Sequence, residues 1–490
     1  MLTMGNLDKI LLRFSSELSL KGPSAKRHFI SKLKANIQMQ FELNNISVEF
    51  SDFFGGLLLT VPKEKTQVSL SYLKNIFGIG SFSLILATGS NDFEEIKSLG
   101  KDVFLPFIKD KSFATRVKKL GTQTFKGMDL ERQLGGILNQ NSPSSSVNLS
   151  HPDITVHIMV QNTVSYFFTQ RVVGAGGYPI GVEDRALCLM SGGFDSAVAA
   201  WRILKRGVPI DFLFCNMAGS AYERMVLQVT KVLCDLWALP AQAQFYTVDF
   251  SGAIEALKEN VDNTYRQVIL KRLFYRVANK VAYQNRHFAI ITGEALGQVS
   301  SQTLMNLNLI QDVSYLQVLR PLIGYDKLEI INEARHIGTA ALSERIKEYC
   351  SISTGHPVTR GKKARAMSEE EKLPHDLVEQ ILESITKIDI NSLDMSQLQL
   401  SHLFKESIPR GAQVIDCQPS FMYKHWHLEG ATHNELTDVI KNYKSWDKKQ
   451  TYFLYCTHGT QTPHAAEIMQ QGGYDAYCFK GDVEMLKKLV

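Results

Sequence analysis

The sequence predicts a multidomain α/β protein. Its 490 residues are more than one hydrophobic core usually organises, so several domains are expected. Short apolar segments that suit strands alternate with longer segments of helical periodicity, which is typical of mixed α/β folds. A glycine- and proline-rich stretch at 174–181 interrupts this alternation and predicts a linker. We expect four domains, at 1–90, 91–173, 174–390 and 405–490.

Composition favours a globular protein of the cytoplasm. Hydrophobic residues make up 44% of the chain and charged residues 21%, which excludes a disordered or collagen-like protein. Met1–Arg13 lacks the pattern of a signal peptide, and no apolar stretch approaches the length of a membrane span. Seven cysteines, an odd number, indicate a reducing compartment rather than a disulfide framework.

Positive charge is concentrated at the start of the chain. Through residue 175 there are 20 lysines and arginines against 14 aspartates and glutamates, a net charge of +6, whereas the whole chain carries +5. A basic module of this kind is typical of proteins that bind a polyanion such as RNA. A solvated basic face has the same composition, so charge alone leaves both interpretations open.

The first domain is predicted to be ferredoxin-like, with the element order β-α-β-β-α-β. Its strands are expected at Asp8–Phe14, Ser47–Phe50, Gly56–Val61 and Ser81–Ala87. Its helices are expected at Ser24–Leu43, with Ser24 as the N-cap, and at Thr66–Phe77. This fold supports many activities and does not by itself indicate a function.

The second domain is predicted to be a small α/β unit with an RNA-binding segment. Helices are expected at Asp92–Phe107 and from an Asp129 cap to Asn139, and strands at Ser112–Lys118, Ile154–Val160 and Thr163–Val172. The segment 116–127 combines positive charge, glycine and hydroxyls, which suits RNA phosphates and sugars, and Phe125 is available for base stacking. The expected basic contacts are Arg116, Lys118, Lys119 and Lys126.

The third domain begins with a strand, a glycine turn and a helix, around which the chain is organised. Ala186–Met190 is short and apolar, Ser191-Gly-Gly-Phe-Asp-Ser196 follows, and an apolar helix is expected from near Ser196. Such a turn binds anions, because glycine lets backbone amides approach a phosphate and the helix N-terminus is positive. The missing Gly-Lys-Ser/Thr sequence excludes a Walker loop. An ordinary tight turn is the alternative.

The following segments predict a parallel sheet with ligands at the carboxyl ends of its strands. Strands are expected at Ile210–Asn216, Gln244–Asp249, Phe288–Thr292 and ending near Leu319, and helices at Ala221–Trp237 and Arg266–Gln284. The polar segment Thr292–Thr303 leaves a strand at this edge and predicts substrate contacts, although a capped helix start has the same pattern. By pattern alone, Lys271 is a surface lysine and the charged run 361–372 is solvated.

The last domain carries a cysteine at the end of a strand. Tyr452–Tyr455 is predicted to be a strand that delivers Cys456 to a short loop. A helix is expected from Thr462 and Pro463 to Gly472. Loop amides and the positive helix end favour a thiolate, which can carry a second sulfur as a persulfide. A buried structural cysteine is the alternative.

The other cysteines and two histidines receive no metal-binding role. Core packing is predicted for Cys188, Cys215, Cys234, Cys417 and Cys478. Cys417, beside the first strand of its domain, could also come near Cys456. His458 and His464 are predicted to face solvent or cap a helix, because no cysteine spacing pairs them. Cys350 lies downstream of the predicted sheet, near where substrate would bind.

Three of these stretches resemble known families. Ser-Gly-Gly-x-Asp-Ser at Ser191–Ser196 is the signature of PP-loop pyrophosphatases, and 91–173 resembles a THUMP domain, an RNA-binding module of tRNA-modifying enzymes. Cys-x-x-Gly-x-x-Thr at Cys456–Thr462 is similar to a rhodanese active loop. The whole chain resembles the tRNA 4-thiouridine synthase family, also called the tRNA sulfurtransferase family, in its long form. This implies a doubly wound PP-loop domain and a rhodanese-like C-terminal domain.

The rhodanese resemblance has two departures. Rhodanese-like strands usually begin Asp-x-Arg, whereas this chain has Asp416-Cys417-Gln418. Gln461 stands where active loops often carry arginine. Both differences make the loop less electropositive, so weaker activation of the thiolate is expected.

The family resemblance implies a reaction with two sites. ATP adenylates the 4-oxygen of the uridine at position eight of tRNA, and Asp195 helps to place Mg²⁺ on pyrophosphate. A cysteine desulfurase loads Cys456 with a persulfide sulfur that replaces the oxygen. Cys350 then forms a Cys350–Cys456 disulfide, which a reductant reopens. The resemblance also implies sulfur delivery to a carrier protein for thiamine thiazole synthesis. The implied nucleotide contacts are Leu189, Met190, Ser191, Gly192, Gly193, Ser196, Lys271, Gly293 and Gln302.

Two functions of other classes stay open at this point. A PP-loop ligase that uses ammonia would need neither a basic RNA module nor a persulfide cysteine. A sulfur carrier with a vestigial ATP site is the second, although the intact Ser191–Ser196 motif argues against decay.

The polar connector near 387–410 lacks a strong apolar pattern. We therefore expect the last domain to swing on it rather than stay docked. Because Cys350 and Cys456 lie 106 positions apart in different predicted domains, such motion would bring the two thiols together.

Overall fold

The chain folds into two compact units in the computed structural model, which describes residues 6–121, 124–346, 352, 356–457, 459 and 462–489. The first unit comprises the residues up to Val182 together with Lys205–Gly207. The second comprises Glu183–Leu204 and the residues from Val208 onward. In the described ranges, no helix combines the length and the apolar character needed to cross a membrane.

The first unit contains two five-stranded sheets with helices packed on them. Its elements are β1 (Leu7–Phe14), α1 (Ser16–Ser19), α2 (Pro23–Glu42), β2 (Glu49–Phe53), β3 (Gly56–Pro62), α3 (Thr66–Leu73), β4 (Ile79–Ile85), β5 (Ala87–Ser90), α4 (Phe93–Ile108), β6 (Ser112–Leu120), α5 (Gly127–Asn141), β7 (Ser146–Val147), β8 (Ile154–Gln161), β9 (Val164–Phe168) and β10 (Val172–Val173). The strand orders are β10-β4-β1-β3-β2 and β5-β9-β8-β6-β7. Leu33, Ile37 and Phe41, on one face of α2, are fully buried in the core of the first sheet. The predicted ferredoxin-like order is confirmed.

The chain changes sheets within two segments that were each predicted to be one strand. The expected strand Ser81–Ala87 is divided into β4, in the first sheet, and β5, in the second. The Leu86 amide between them donates to the Phe167 carbonyl at 2.8 Å. The expected strand Thr163–Val172 is divided into β9 and β10, and β10 returns to pair with β4. The first division is marked by neither a proline nor a polar run, so the sequence pattern does not reveal it. The second coincides with the polar residues Thr169, Gln170 and Arg171.

Two helices begin at residues other than the predicted caps. Pro23, not Ser24, opens α2, because the fixed φ and missing amide hydrogen of proline suit the first helical position. Asp129 lies in the first turn of α5, whose cap is Lys126, and a carboxylate there still stabilises the positive helix end. Asp92 is the N-cap of α4, so this helix begins one residue after its expected start.

The second unit begins with a six-stranded sheet. Its elements are β11 (Ala186–Leu189), α6 (Phe194–Leu204), β12 (Ile210–Asn216), α7 (Ser220–Leu233), β13 (Gln244–Asp249), α8 (Ser251–Asn260), α9 (Arg266–Gln284), β14 (Ala289–Ile291), α10 (Leu304–Gln311), β15 (Gln317–Leu319), α11 (Lys327–Ile337), α12 (Ala340–Ser343), α13 (Lys363–Glu370), α14 (Leu377–Glu383) and β16 (Thr386–Asp389). The strand order is β15-β14-β11-β12-β13-β16, parallel except for β16. This confirms a doubly wound sheet. β12 and β13 lie on one side of β11, and β14 and β15 lie on the other. In such a sheet the ligand crevice lies where the strand order reverses, so it is expected at the carboxyl end of β11.

The charged run 361–372 is only partly solvated. Its exposed charged side chains, as expected, are Lys362, Lys363, Arg365, Glu371 and Lys372, whereas Glu369 and Glu370 are packed. The run forms α13, whose last residue, Glu370, pairs with the buried Arg272 at 2.7 Å. Glu369 is fully buried and pairs with Lys372 at 2.7 Å. Buried carboxylates persist when their charge and hydrogen bonds are satisfied, and a count of charges cannot reveal such pairing.

The C-terminal part, from Phe404 onward, is a smaller parallel sheet flanked by helices. Its elements are β17 (Phe404–Lys405), β18 (Gln413–Asp416), α15 (Ser420–His425), β19 (Thr432–His433), α16 (Leu436–Asn442), β20 (Thr451–Tyr455), α17 (Thr462–Gln471), β21 (Asp475–Phe479) and α18 (Val483–Leu486). The strand order is β17-β21-β20-β18-β19, and all pairs are parallel. Cys456 directly follows the central strand.

The connector between the two sheets is packed, and the C-terminal part is docked. The structure thus shows the docked arrangement, and the expected swing of the last domain on this connector stays a prediction. The connector contains three short helical turns, at Ile390–Ser392, Met395–Leu398 and Ser401–Leu403. Its buried apolar side chains are Ile390, Leu398, Leu400 and Leu403. Short irregular turns give neither a helical nor a strand period, so the segment has the sequence pattern of a free linker.

Candidate functional site

The glycine turn after β11 is closed by its own hydroxyls. The Ser191 amide donates to Ser196 Oγ at 3.3 Å, and this hydroxyl donates to the Gly193 carbonyl at 3.2 Å. Gly192 has a φ of +79°, and a Cβ there would lie 2.6 Å from a side-chain carbon of Ile346. Glycine is therefore required at this position.

Asp195 is the buried acid of this turn, and both of its oxygens are engaged. The residue is 5% exposed; Oδ1 accepts from Lys327 Nζ at 2.7 Å and Oδ2 from Gln298 Nε2 at 2.8 Å. Lys327 opens α11, where Asp326 and Glu329 cap the helix reciprocally. The sequence pattern does not predict this pair, because nothing local links Lys327 to an acid 132 positions away. The turn thus has an ammonium group that its motif does not contain.

The other predicted nucleotide contacts lie around the same strand ends. Gly293 follows β14, and a Cβ there would lie 2.6 Å from the carbonyl carbon of Asp195. Gln302 is 9% exposed, and its Oε1 has no hydrogen-bond partner among the described residues, so a ligand donor can use it. Lys271 lies on α9, with its Nζ 5.5 Å from the centre of the Phe274 ring. The residues leading into the turn are Leu189 and Met190.

A buried ionic network fixes the loop after β14. The carboxylate of Glu294 accepts from Arg320 Nε at 2.8 Å and from the Tyr275 hydroxyl at 2.7 Å. The Thr292 hydroxyl donates to the same oxygen at 3.1 Å. Because the buried charge is satisfied in this way, the network holds Thr292–Thr303 at the ligand edge.

Cys456 is buried where β20 meets the start of α17. The residue is 5% exposed, and its Sγ lies 3.9 Å from Thr462 Oγ1. Thr462 and Pro463 open α17 as predicted. Cys417 and Cys478 lie nearby, and the pKa of each is raised well above its usual value, first by burial and then by Cys456. These two thiols therefore stay protonated and are poor nucleophiles.

Gln418, which stands where rhodanese-like strands usually carry arginine, links β18 to the cysteine loop. Its side-chain amide donates to the Asp416 carboxylate at 3.0 Å and accepts from the Thr457 hydroxyl at 3.4 Å. The Tyr455 hydroxyl donates to the same carboxylate. The loop therefore keeps a hydrogen-bonded link to Asp416 but gains no positive charge.

His464 is half-buried, and so less exposed than the expectation of a residue that faces solvent or caps a helix. Its ring lies against Gly219, and burial lowers its pKa, while Glu467 and Asp249 oppose that change. The sequence does not show this, because the contact joins two separate sheets. Three other residues of interest lie outside the described residues, namely Cys350, His458 and Gln461.

The expected RNA-contact segment lies around the end of β6. Three of its basic residues are exposed: Arg116, Lys118 and Lys126. Lys119 Nζ lies 5.1 Å from the centre of the Phe125 ring, which packs edge-on against Phe93 at 5.2 Å. Phe125 is therefore half-buried rather than fully available for stacking.

A second cluster of positive charge in the first unit was not predicted. Arg13 and Arg171 each donate to a serine hydroxyl of β4 at 3.0 Å. The His157 ring stacks on Phe168 at 5.0 Å, and Arg13 lies over the Phe168 ring at the same distance. Within the described part of the chain, Arg13, Arg116 and Arg171 form no ion pair with a carboxylate. Unpaired guanidinium groups from three separate segments of the chain suit a polyanion.

This cluster predicts that acid destabilises the first unit. Burial, followed by Arg13, Arg171 and Arg116, lowers the pKa of His157 from 6.5 to about 4. Between these values the unfolded chain binds a proton that the folded chain does not, so stability should fall as the pH drops from 6.5 toward 4. Thermal unfolding of the full chain at pH 7.5 and 5.0 measures this. His157→Asn should reduce the acid-induced drop in Tm, and the control His28→Asn, at an exposed histidine, should not. Equal drops in all three proteins would contradict the prediction.

Family models match most of the chain. The model described as Thiamine biosynthesis protein (ThiI) matches residues 181–374. The ThiI ferredoxin-like domain matches 9–83, the THUMP domain 90–170 and the rhodanese-like domain 401–488.

Curated relatives are similar over nearly their full length. The tRNA sulfurtransferase of Desulfurococcus amylolyticus is 34% identical over 96% of this chain and 96% of its own. That of Thermoplasma acidophilum is 33% identical over 94% of this chain and 93% of its own. Among solved structures, a 4-thiouridine synthetase–RNA complex with bound ATP is 30% identical, with a TM-score of 0.68 over 78% of this chain and 99% of that one. PH1313 from Pyrococcus horikoshii, 17% identical with a TM-score of 0.51 over 68% of this chain and 99% of its own, shares the fold.

Proposed function

The chain belongs to the tRNA sulfurtransferase family, and from that premise we propose that it forms 4-thiouridine at position eight of tRNA in the cytoplasm. ATP adenylates the 4-oxygen of the uridine, and sulfur carried on Cys456 replaces that oxygen. The observation that carries the proposal is that one unit holds both an anion turn, with its Asp195–Lys327 pair, and a strand-end cysteine loop. Adenylation converts a poor leaving group into AMP, which a sulfur nucleophile can displace.

The residues around the turn fit ATP. The Ser191–Ser196 turn and the N-terminus of α6 suit its phosphates, and Lys327 adds a positive charge. The unpartnered Gln302 Oε1 suits the amino group of adenine. The similar 4-thiouridine synthetase, solved with RNA and bound ATP, supports this assignment. The remaining proposed contacts are Leu189, Met190, Lys271 and Gly293.

Mg²⁺ is proposed to arrive with ATP rather than to occupy a protein cage. In the described ranges, no group of three His, Cys, Asp or Glu side chains could hold a metal ion. Asp195 offers one carboxylate, which fits a metal bound mainly by substrate phosphates and water. The bound ion would neutralise charge on the pyrophosphate.

The proposed sulfur route uses two thiols. A cysteine desulfurase loads Cys456 as a persulfide, and its outer sulfur bonds to C4 of the adenylated uridine as AMP leaves. The Cys350 thiolate then attacks Cys456 Sγ, which breaks the persulfide S–S bond, releases 4-thiouridine and forms a Cys350–Cys456 disulfide. A dithiol reductant supplies two electrons to reopen it. The rhodanese-like match supports Cys456 as the carrier, whereas the role of Cys350 follows from the family resemblance.

tRNA binding is proposed to use the two basic clusters of the first unit. The triple variant Lys118→Ala, Lys126→Ala and Arg171→Gln should weaken tRNA binding, because these exposed cations contact phosphates. The slope of log affinity against log salt should become shallower by about 0.9 for each phosphate that the variant no longer neutralises. Fluorescence anisotropy over a salt series measures both effects. Lys34→Gln, at a lysine paired with Asp52 at 3.0 Å, is the control and should change neither. An unchanged salt slope in the triple variant would remove these residues from the RNA surface.

A second proposed role is sulfur delivery to a small carrier protein for thiamine thiazole synthesis. The description of the matching family model, Thiamine biosynthesis protein, supports it. The test is whether cells that lack the protein require thiazole and whether Cys456→Ser fails to restore growth.

Reconstitution tests the main proposal. The purified chain, a cysteine desulfurase, cysteine, ATP and unmodified tRNA should produce 4-thiouridine, detected by mass spectrometry of tRNA nucleosides. Pyrophosphate release should depend on tRNA. Release without tRNA but with ammonia would support an ammonia-using ligase instead, and sulfur transfer without ATP would support a sulfur carrier.

A further inference from the structure

One face of α7 receives the C-terminal part of the chain. Ser220, Arg224 and Gln228 are spaced four residues apart and therefore lie on the same side of this helix. The Glu467 carboxylate of α17, 6% exposed, accepts from Ser220 Oγ at 2.7 Å and pairs with Arg224. Gln228 Nε2 donates to the carbonyl of Leu398, in the connector, at 2.5 Å. A single helix face thus holds both the cysteine-bearing part and the segment that tethers it.

The turn that precedes α7 is shaped for the same contact. The His464 ring of α17 lies directly against Gly219, where a Cβ would overlap the ring. Gly219 has a φ of +82°, so it also needs the conformational freedom of glycine. Asn216 fixes this turn, because its Oδ1 accepts from the amides of Ala218 and Gly219 at 3.1 and 2.9 Å. The turn between β12 and α7 therefore forms part of the surface that contacts α17.

This contact lies at the ligand edge of the large sheet. Asn216 ends β12, which pairs with β11, the strand that leads into the Ser191–Ser196 turn. Further along α7, Val226 touches that turn, since a Cβ on Gly192 would lie 3.1 Å from it. On the other side, Cys456 Sγ contacts Thr462, two positions before His464.

We propose that the α7–α17 contact is the docking surface that presents the sulfur of Cys456 to the nucleotide edge, with Arg224 and Glu467 as positioning residues. The inference rests on the proposed function and adds to it the place of sulfur handover. A buried charged pair adds little net stability but rejects mispaired surfaces. Such a contact suits a C-terminal part that leaves α7 while Cys456 is loaded with sulfur and then returns to α7 in a single orientation. Docking raises the effective concentration of the sulfur at its acceptor.

Charge reversal tests this inference. Glu467→Arg and Arg224→Glu each place like charges together, and the double variant restores an opposite pair. Single-turnover transfer from preloaded Cys456 to tRNA at saturating ATP should slow by about 10-fold or more in each single variant, as expected when the reacting groups are no longer held close together. Hydrogen exchange in α7 and α17 should speed up in parallel. The double variant should recover both, which a merely unfolded C-terminal part would not do.

Controls separate docking from chemistry. Persulfide loading from polysulfide and tRNA-dependent pyrophosphate release should be unchanged in every variant. Glu467→Gln, which keeps the hydrogen bond to Ser220, should have an intermediate effect. Glu406→Arg, at an exposed pair with Lys480 within the C-terminal part, should behave as the unaltered protein.

Two results would overturn the docking role. One is faster exchange with an unchanged transfer rate, and the other is failure of the double variant to recover transfer. Absence of 4-thiouridine with the unaltered, preloaded protein would instead refute the proposed function, and it would be visible before any variant is compared.

Discussion

Cys456→Ser is expected to abolish 4-thiouridine formation, with a decrease of about 1,000-fold or more. A hydroxyl cannot carry a sulfane sulfur, whereas serine fits the same buried position beside Thr462, so the fold should survive. Nucleoside mass spectrometry measures the product, and alkylation followed by peptide mapping measures the persulfide. Pyrophosphate release in the presence of tRNA should continue, because adenylation does not use this thiol.

The matched controls are the two neighbouring thiols. Cys417→Ala and Cys478→Ala should retain persulfide loading, since burial keeps these groups protonated in the native protein. Each creates a small cavity, so Tm is measured alongside activity. A Cys456→Ser protein that still thiolates tRNA would refute the assignment, as would the absence of loading in Cys478→Ala at an unchanged Tm.

Asp195→Asn is expected to lower thiolation by about 100-fold, the size of effect seen when one preorganised polar group is removed from an active site. The change is isosteric and keeps a partner for Gln298, but it removes the charge that faces Lys327 at 2.7 Å. Pyrophosphate release should fall with thiolation. tRNA affinity should be unaffected, because the basic clusters lie in the first unit.

Glu333→Gln is the control for this variant. Arg202 and Glu333 form another ion pair between α6 and α11, at 2.6 Å, away from the glycine turn. Removing this pair should leave pyrophosphate release unchanged. If Glu333→Gln reduced release as much as Asp195→Asn does, the effect would be one of helix packing. If Asp195→Asn weakened tRNA binding instead, the separation of RNA binding from adenylation would be wrong.

The parts of the site that could be predicted are contiguous in sequence. The Ser191–Ser196 turn and the Cys456–Thr462 loop each place strand, turn and helix signals within about a dozen residues, where propensity and capping rules apply directly. The partners of Asp195 could not be predicted in this way. Lys327 and Gln298 lie 132 and 103 positions from it, and spacing in one sequence does not reveal which helix starts meet.

Burial accounts for the other differences. The charged run 361–372, the connector and His464 all have the composition of solvated segments. The structure nevertheless buries Glu369 of the run and the apolar side chains of the connector, and it half-buries His464. Composition cannot distinguish an exposed charge from a buried and satisfied one, because the same residues, such as Glu369 or Glu467, serve in both.

The return of β10 to the first sheet also constrains how the protein is synthesised. Val172 and Val173 pair with β4, which leaves the ribosome about ninety residues earlier. Until they arrive, the outer edge of β4 is an unpaired strand, the kind of edge on which another nascent chain can add. The first sheet therefore cannot be completed before the strands of the second sheet have been translated. A chain that stalls between residues 90 and 171 would be more prone to aggregate than one released after Val173.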